Sequence, residues 1–261
     1  MDPFHTIMYR DNHVTHASEW QRLMSNAYVW YDFWSQPQPT LMKDENSVEK
    51  ATQDLKRAIA SMGAYVERAD CLVILAPATI HADRVDTRTG RRLFTSYRTF
   101  RTRAFCVMEM FAAYLSRRKT HPMLLIRAAD AIPEWLSSLE VVRLAVGESN
   151  FTCCEQNHKG KFSTCDRDVL LDLLIRLIDQ KVEHIFNFGN ATSARLLHSM
   201  RYRYLRGLDF KRVSSHTIEN LKIALRWSLK DGDGEWFDQK GVSILFYAVA
   251  QNDEILVREL L

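Results

Sequence analysis

Four residues just past the middle of the chain, Cys153, Cys154, His158 and Cys165, have side chains that ligate zinc. Adjacent cysteines are an unusual ligand pair, and the order Cys-Cys-x-x-x-His with a later Cys matches no familiar finger. A reduced, partly buried turn is the expectation there, with no resident metal or cofactor. A second chemistry is cationic: Arg84, Arg88, Arg91, Arg92, Arg98, Arg101 and Arg103 fall in one loop-like stretch. Such a stretch is either a solvated loop or a lid that attracts an anionic ligand. A third is Asp32, a charge inside an aromatic run, which needs a hydrogen-bonding partner or a functional reason. The nine glycines are scattered and form no phosphate-binding loop, and Lys159-Gly160-Lys161 is too short for a nucleic-acid patch. Spacing alone places no Ser/His/Asp or Cys/His triad.

The elements that must hold these residues follow from the hydrophobic pattern. Residues 14–26 repeat at helical spacing through Ala17, Trp20, Leu23 and Met24. Tyr28-Val29-Trp30-Tyr31-Asp32-Phe33-Trp34 is dense in aromatic and β-branched residues and predicts a buried strand with Trp30, Tyr31 and Phe33 in the core. Pro37 and Pro39 break it into a loop. A helix is expected from near Asp44, with Val48, Ala51, Leu55, Ile59 and Met62 on one face. Cys71-Leu72-Val73-Ile74-Leu75-Ala76 then reads as a parallel strand covered on both sides. A helix over 102–118 and a strand at 123–126 follow. Strand–helix–strand order predicts a parallel sheet flanked by helices, with ligands bound beyond the carboxyl ends of the strands.

Beyond residue 132 the pattern changes. A short helix is expected over 133–139, a strand over 141–146, and helices over 166–180, 191–206 and 214–230. The last segment reads as a glycine-opened turn at Gly241 followed by two short helices.

With 261 residues, 46% hydrophobic and 26% charged, the chain has the composition of a globular protein able to bury its own core. A net charge of +3 is too small to argue for nucleic acid as a partner. No apolar run approaches the roughly 20 residues that span a bilayer, so no membrane partner is expected. Five cysteines without framework spacing fit reduced thiols, and the N-terminus lacks the regions of a signal peptide. A cytoplasmic location is the resulting expectation.

Two stretches resemble known families. Trp30-Tyr31-Asp32-Phe33-Trp34-Ser35-Gln36-Pro37-Gln38, with Ala60-Ser61-Met62, Tyr65 and Ala69-Asp70 downstream, resembles the heterokaryon-incompatibility signature. Phe105-Cys106-Val107-Met108-Glu109, on the helix after the apolar strand, resembles the corresponding helix of TIR domains. In members that cleave NAD, the Glu at this position is catalytic. The resemblance therefore implies a TIR-like three-layer α/β domain over residues 1–146 and makes Glu109 the candidate catalytic carboxylate. It also suggests a nucleotide site with Asp32, Trp34, Ser35, Gln38, Phe105 and Arg103. NAD would be a substrate rather than a cofactor. The C-terminal 235–261 segment resembles a partial ankyrin repeat, separated from the α/β domain by a helical region at 147–234.

The chemistry fits such a role. Cleaving the bond between ribose and nicotinamide develops oxocarbenium charge on the sugar, which one carboxylate can stabilise. Phe105 sits one helical turn before Glu109, Trp34 could stack on a base, and the arginines could meet a diphosphate. TIR enzymes generally act in assemblies, so a homo-oligomer is implied. The alternative is a non-catalytic scaffold that joins signalling complexes through its TIR-like face and binds protein partners through its ankyrin-like end.

Overall fold

The computed structural model describes residues 18, 21–22, 25–31, 35, 42–85, 89–118, 121–155, 165–209, 217–229 and 232–261. The chain divides into two compact units, Met1–Met62 and Gly63–Leu261.

In the first unit, Asp44 accepts a hydrogen bond from the Ser47 amide at 2.8 Å and so opens helix α1, Glu45–Ala60. Asp and Ser supply an oxygen to the orphan amides of a first turn, and Glu45 favours the positive end of the dipole. Val48, Ala51 and Ile59 are buried, as the helical period predicts. The expected aromatic strand is different. Residues 28–31 carry no strand pairing, and Tyr28, Val29, Trp30 and Tyr31 are exposed rather than core. Strand propensity reflects a pleated, half-buried setting, and no described strand offers these residues one.

From Gly63 on, the second unit carries the rest of α2 (Met62–Arg68) and then strand β1 (Leu72–Leu75). β1 pairs in parallel with β4 (Met123–Ile126), in register Leu72↔Met123 to Leu75↔Ile126. β5 (Glu134–Leu136) then pairs antiparallel with β4, setting Trp135 against Leu124. The result is a small mixed sheet in the order β1-β4-β5. Among the described residues the fold is mixed α/β and 54% helical, so helices supply most of the core.

Four expectations are corrected here. β1 is covered on one side only: Ile74 is buried, while Val73 and Leu75 are 47% and 57% exposed. The helix expected over 133–139 is β5, and the strand expected over 141–146 is helix α5 (Ser138–Val142) with a 3₁₀ turn after it (Val146–Glu148). Ser137 explains the switch, because its hydroxyl caps the Leu139 amide and starts a helix directly after the strand. The arginine-rich stretch is not a plain loop. It forms a hairpin, β2 (Thr79–Val85) against β3 (Arg92–Thr95), with Thr79↔Thr95 and Ile80↔Phe94 paired. Gly90 takes φ +66° in the connection, a value open to glycine and strained for other residues.

After the hairpin come α3 (Tyr97–Phe100) and α4 (Ala104–Tyr114). α4 buries residues all round its circumference, among them Val107, Met108, Met110 and Phe111, as a central helix must. It packs on α5, on the 3₁₀ turn and on the long helix α7 (Asp166–Phe188). Leu170, Leu173, Leu174, Leu177 and Ile178 form the buried stripe of α7, matching its predicted period. Short α6 (Thr152–Glu155) precedes α7. Behind them Gly147 and Gly207 touch backbone to backbone; a Cβ on Gly147 would lie 2.2 Å from the Gly207 carbonyl carbon.

The C-terminal part carries α8 (Ala191–Ser199), α9 (Arg201–Tyr204), α10 (Ile218–Ala224) and the hairpin pair α11 (Ile244–Ala250) and α12 (Glu254–Leu260). Ser243 and Asp253 cap the last two helices, and Leu221, Leu225, Ile244, Tyr247, Ala248 and Leu256 form their core. Arg195 ties this region together. Its Nε donates to the Leu225 carbonyl at 2.8 Å, its Nη2 to the Arg226 carbonyl at 2.9 Å, and both Nη atoms to the Asp233 carboxylate at 3.0 and 2.6 Å. Asp238 accepts from Thr192 at 2.5 Å, from Tyr247 at 2.8 Å and from the amides of Lys240 and Val242.

Candidate functional site

Both parallel strands end at the same edge. β1 runs out at Ala76, whose amide donates to the Ile126 carbonyl at 3.0 Å, and β4 runs out at Arg127. The carboxyl ends of parallel strands are where sheets of this type take ligands, because the chain must turn away there and leave a crevice. Three side chains meet at this edge. Tyr97 opens α3 directly after the hairpin, held by a capping box in which Thr99 accepts from the Ser96 amide at 2.9 Å. The Arg101 guanidinium lies 4.9 Å and that of Arg127 5.0 Å from the Tyr97 ring centroid. Both distances lie within cation–π range.

Each arginine has an acidic partner. Arg127 makes a fork to Glu134 at 2.7 and 3.2 Å, and Arg101 lies 3.5 Å from Glu140. The four charges cancel formally. Two donors do not find a partner among the described residues: the Tyr97 hydroxyl, on a side chain only 6% exposed, and the Nε of Arg101. Burial pushes the Tyr97 phenol above its ordinary value against the pull of Arg101, so the hydroxyl keeps its proton and stays a donor. A buried donor without an acceptor is costly unless something else supplies one. This edge therefore offers two open donors, beside two guanidinium groups, to an acceptor-rich group.

The sequence singled out Arg101 and Arg103 as part of the arginine stretch but missed Tyr97, Arg127, Glu134 and Glu140. The signal for Arg127 was present: it directly follows the apolar run of β4, at the carboxyl end of a parallel strand. Tyr97 had no such signal, because the hairpin before it was read as a loop.

Of the residues that the family resemblance suggested, Glu109 lies in the middle of α4, half-buried and engaged with a neighbour. Phe105, one turn earlier, is also half-buried, and Cys106 between them is buried. Arg103 is exposed at the N-cap of α4, where it pairs through its backbone with Asn150. Helix α4 lies in the crossover between the two parallel strands β1 and β4. Glu109 is five residues down that helix, about 8 Å along its axis. Ser35 is exposed in the first unit, and Asp32, Trp34 and Gln38 lie outside the described residues.

The cysteines converge. Cys154 Sγ is 3.8 Å from Cys153 Sγ and 3.7 Å from Cys165 Sγ, and the Asp166 amide donates to Cys153 Sγ at 3.4 Å. His158 lies outside the described residues.

Among known proteins, no family model, no curated protein and no solved structure matches this chain. No helix among the described residues is long and apolar enough to cross a membrane.

Proposed function

We propose that this is a TIR-like signalling domain that binds a nucleotide at the carboxyl ends of β1 and β4 and hydrolyses the N-glycosidic bond of NAD. The observation that carries the reading is the strand-end cluster, where Tyr97 and Arg101 hold donors without acceptors beside Arg127. Phosphate oxygens are acceptors of the right charge, and an α-helix N-terminus nearby favours them further. With the diphosphate at the start of α4, the nicotinamide ribose would reach a few bonds further along that helix, toward Glu109. Its carboxylate would stabilise positive charge on the ribose as nicotinamide leaves with the bonding electrons. Water then adds to the anomeric carbon and loses a proton to solvent, yielding ADP-ribose, nicotinamide and one proton.

The test is nicotinamide release from NAD by the purified chain at high concentration, beside Glu109→Gln. Release that the substitution abolishes while folding is intact supports the hydrolase. A wild-type chain that binds but never cleaves, even when concentrated into assemblies, returns the domain to a binding role.

A second reading, a non-catalytic scaffold, is favoured by a different observation. The α11–α12 pair buries one side and exposes Phe246, Val249 and Ile255 on the other. An uncovered apolar face on a helix pair suits a protein partner or the next unit of a repeat array.

A further inference from the structure

Cys153 and Cys154 are neighbours in α6, with sulfurs 3.8 Å apart, and Cys165 at the start of α7 brings a third sulfur to the same place. The three sulfurs of Cys153, Cys154 and Cys165 all lie within 4.8 Å of one another. A disulfide would bring a pair to about 2.05 Å, and all three are free thiols. A tetrahedral cation with sulfur ligands at about 2.3 Å sets its thiolates about 3.8 Å apart. Two of the three pairs already stand at that spacing, at 3.8 and 3.7 Å. The third pair lies within 4.8 Å.

We propose that Cys153, Cys154 and Cys165 ligate a thiophilic divalent cation of the zinc class, which staples α6 to the start of α7. Two features of the surroundings point the same way. The Asp166 amide donates to Cys153 Sγ at 3.4 Å, an interaction that favours anionic sulfur and orients it. Cys165 is the N-cap of the 23-residue α7 and makes no side-chain capping bond; its sulfur turns to Cys154 Sγ at 3.7 Å, at the positive end of the helix. Binding replaces three S–H bonds with three S–metal bonds and releases three protons to solvent. The cation keeps its +2 charge, no electron moves, and its fourth position takes water or another donor. Zinc is preferred over magnesium or calcium because all three ligands are soft sulfur. The site would be structural and would not depend on the proposed hydrolysis.

The experiment uses the full chain purified under reducing conditions, first assayed for bound metal and then stripped and titrated with Co(II). We expect about one cation per chain and, in the Co(II) form, a thiolate-to-metal charge-transfer band with the strong visible bands of tetrahedral cobalt. Cys154→Ser should weaken zinc binding by more than the roughly 10–100-fold that follows loss of an outer-sphere partner. Cys71→Ser, outside the cluster, should leave it unchanged. Alkylation mapping of the wild-type chain keeps the test independent of any variant's folding: zinc should protect Cys153, Cys154 and Cys165, and a chelator should remove that protection. Absence of the thiolate band in the wild-type chain, or alkylation of these three cysteines that zinc does not slow, would overturn the proposal.

Discussion

Two arginine clusters in the Gly63–Leu261 unit are built on opposite plans. Around Arg195 the charges are sealed: the Arg195 and Asp233 side chains are 3% and 0% exposed, and every nitrogen of the guanidinium has an oxygen. Around Tyr97 the plan is inverted. Arg127 and Glu134 face solvent, while the buried part of the cluster keeps a hydroxyl and an Nε without acceptors. A buried charge is tolerated when its partners are complete, and completion leaves it nothing to offer a ligand. Donors left open inside a crevice destabilise the free protein, and a fold retains them where something else completes them. The first cluster therefore reads as structure and the second as a site.

The largest effect should come from breaking the sealed cluster. Arg195→Ala leaves Asp233 buried without its cation and should cost about 3–5 kcal/mol of stability, read as a lowered midpoint in urea. A loss below about 1 kcal/mol would mean water reaches the site, and the contrast with Tyr97 would collapse. Acid sharpens the same point. Burial would raise the Asp233 carboxyl, but the hydrogen bonds from Arg195 and the Ser228 amide outweigh it and hold the group below its ordinary 3.8. The folded state thus binds this proton less readily than the unfolded chain. Its stabilisation is complete above pH 3.8 and is lost as pH falls through the depressed value. Arg195→Ala should remove that part of the acid limb.

At the open cluster the expected effect on stability is smaller and of opposite sign. Tyr97→Phe deletes a hydroxyl that bonds to nothing described, so thermal stability should hold or rise, by up to about 1 kcal/mol. Nucleotide binding should weaken by roughly tenfold, the worth of one hydrogen bond to a charged acceptor. A clear loss of stability with binding unchanged would instead make the hydroxyl a structural group.

Much of this contrast was hidden in the sequence for a physical reason. Periodicity reports which face of an element is apolar, and it located α1, α4, α7 and the β1–β4 pair well. It is blind to what pairs with an element. The aromatic residues 28–31 have strand composition but no described partner, and β5 was read as a helix because its pairing with β4 depends on residues about ten positions away. The arginines were visible as a cluster, yet their division into a hairpin and a strand-end site depends on the turn at Gly90 and on Ser96 starting α3. Arg195 drew no notice because nothing local marks it; its partners lie 30 and 38 positions away. Cys153, Cys154 and Cys165 stand out in the sequence, but their spacing does not show that the three sulfurs lie within 4.8 Å of one another.

The smallest effect on stability is expected at the C-terminal helix pair, where two neighbouring residues repeat the comparison in apolar form. Leu256 is fully buried in the α10–α11–α12 core, and Ile255 beside it is exposed. Ile255→Glu should change stability by no more than about 0.5 kcal/mol, since Glu favours a helix at least as well as Ile and leaves no cavity. It places a charge on the face that also carries Phe246 and Val249, so any association through that face should weaken. Sedimentation of the wild-type chain and Ile255→Glu over a range of concentrations separates the readings. Concentration-dependent assembly that the charge abolishes, with an unchanged unfolding midpoint, would make this face a docking surface and support the scaffold reading. Assembly that survives the charge would move self-association to another surface, such as the open side of β1 at Val73 and Leu75. The hydrolase reading, which calls for assembly but not through this face, would then gain.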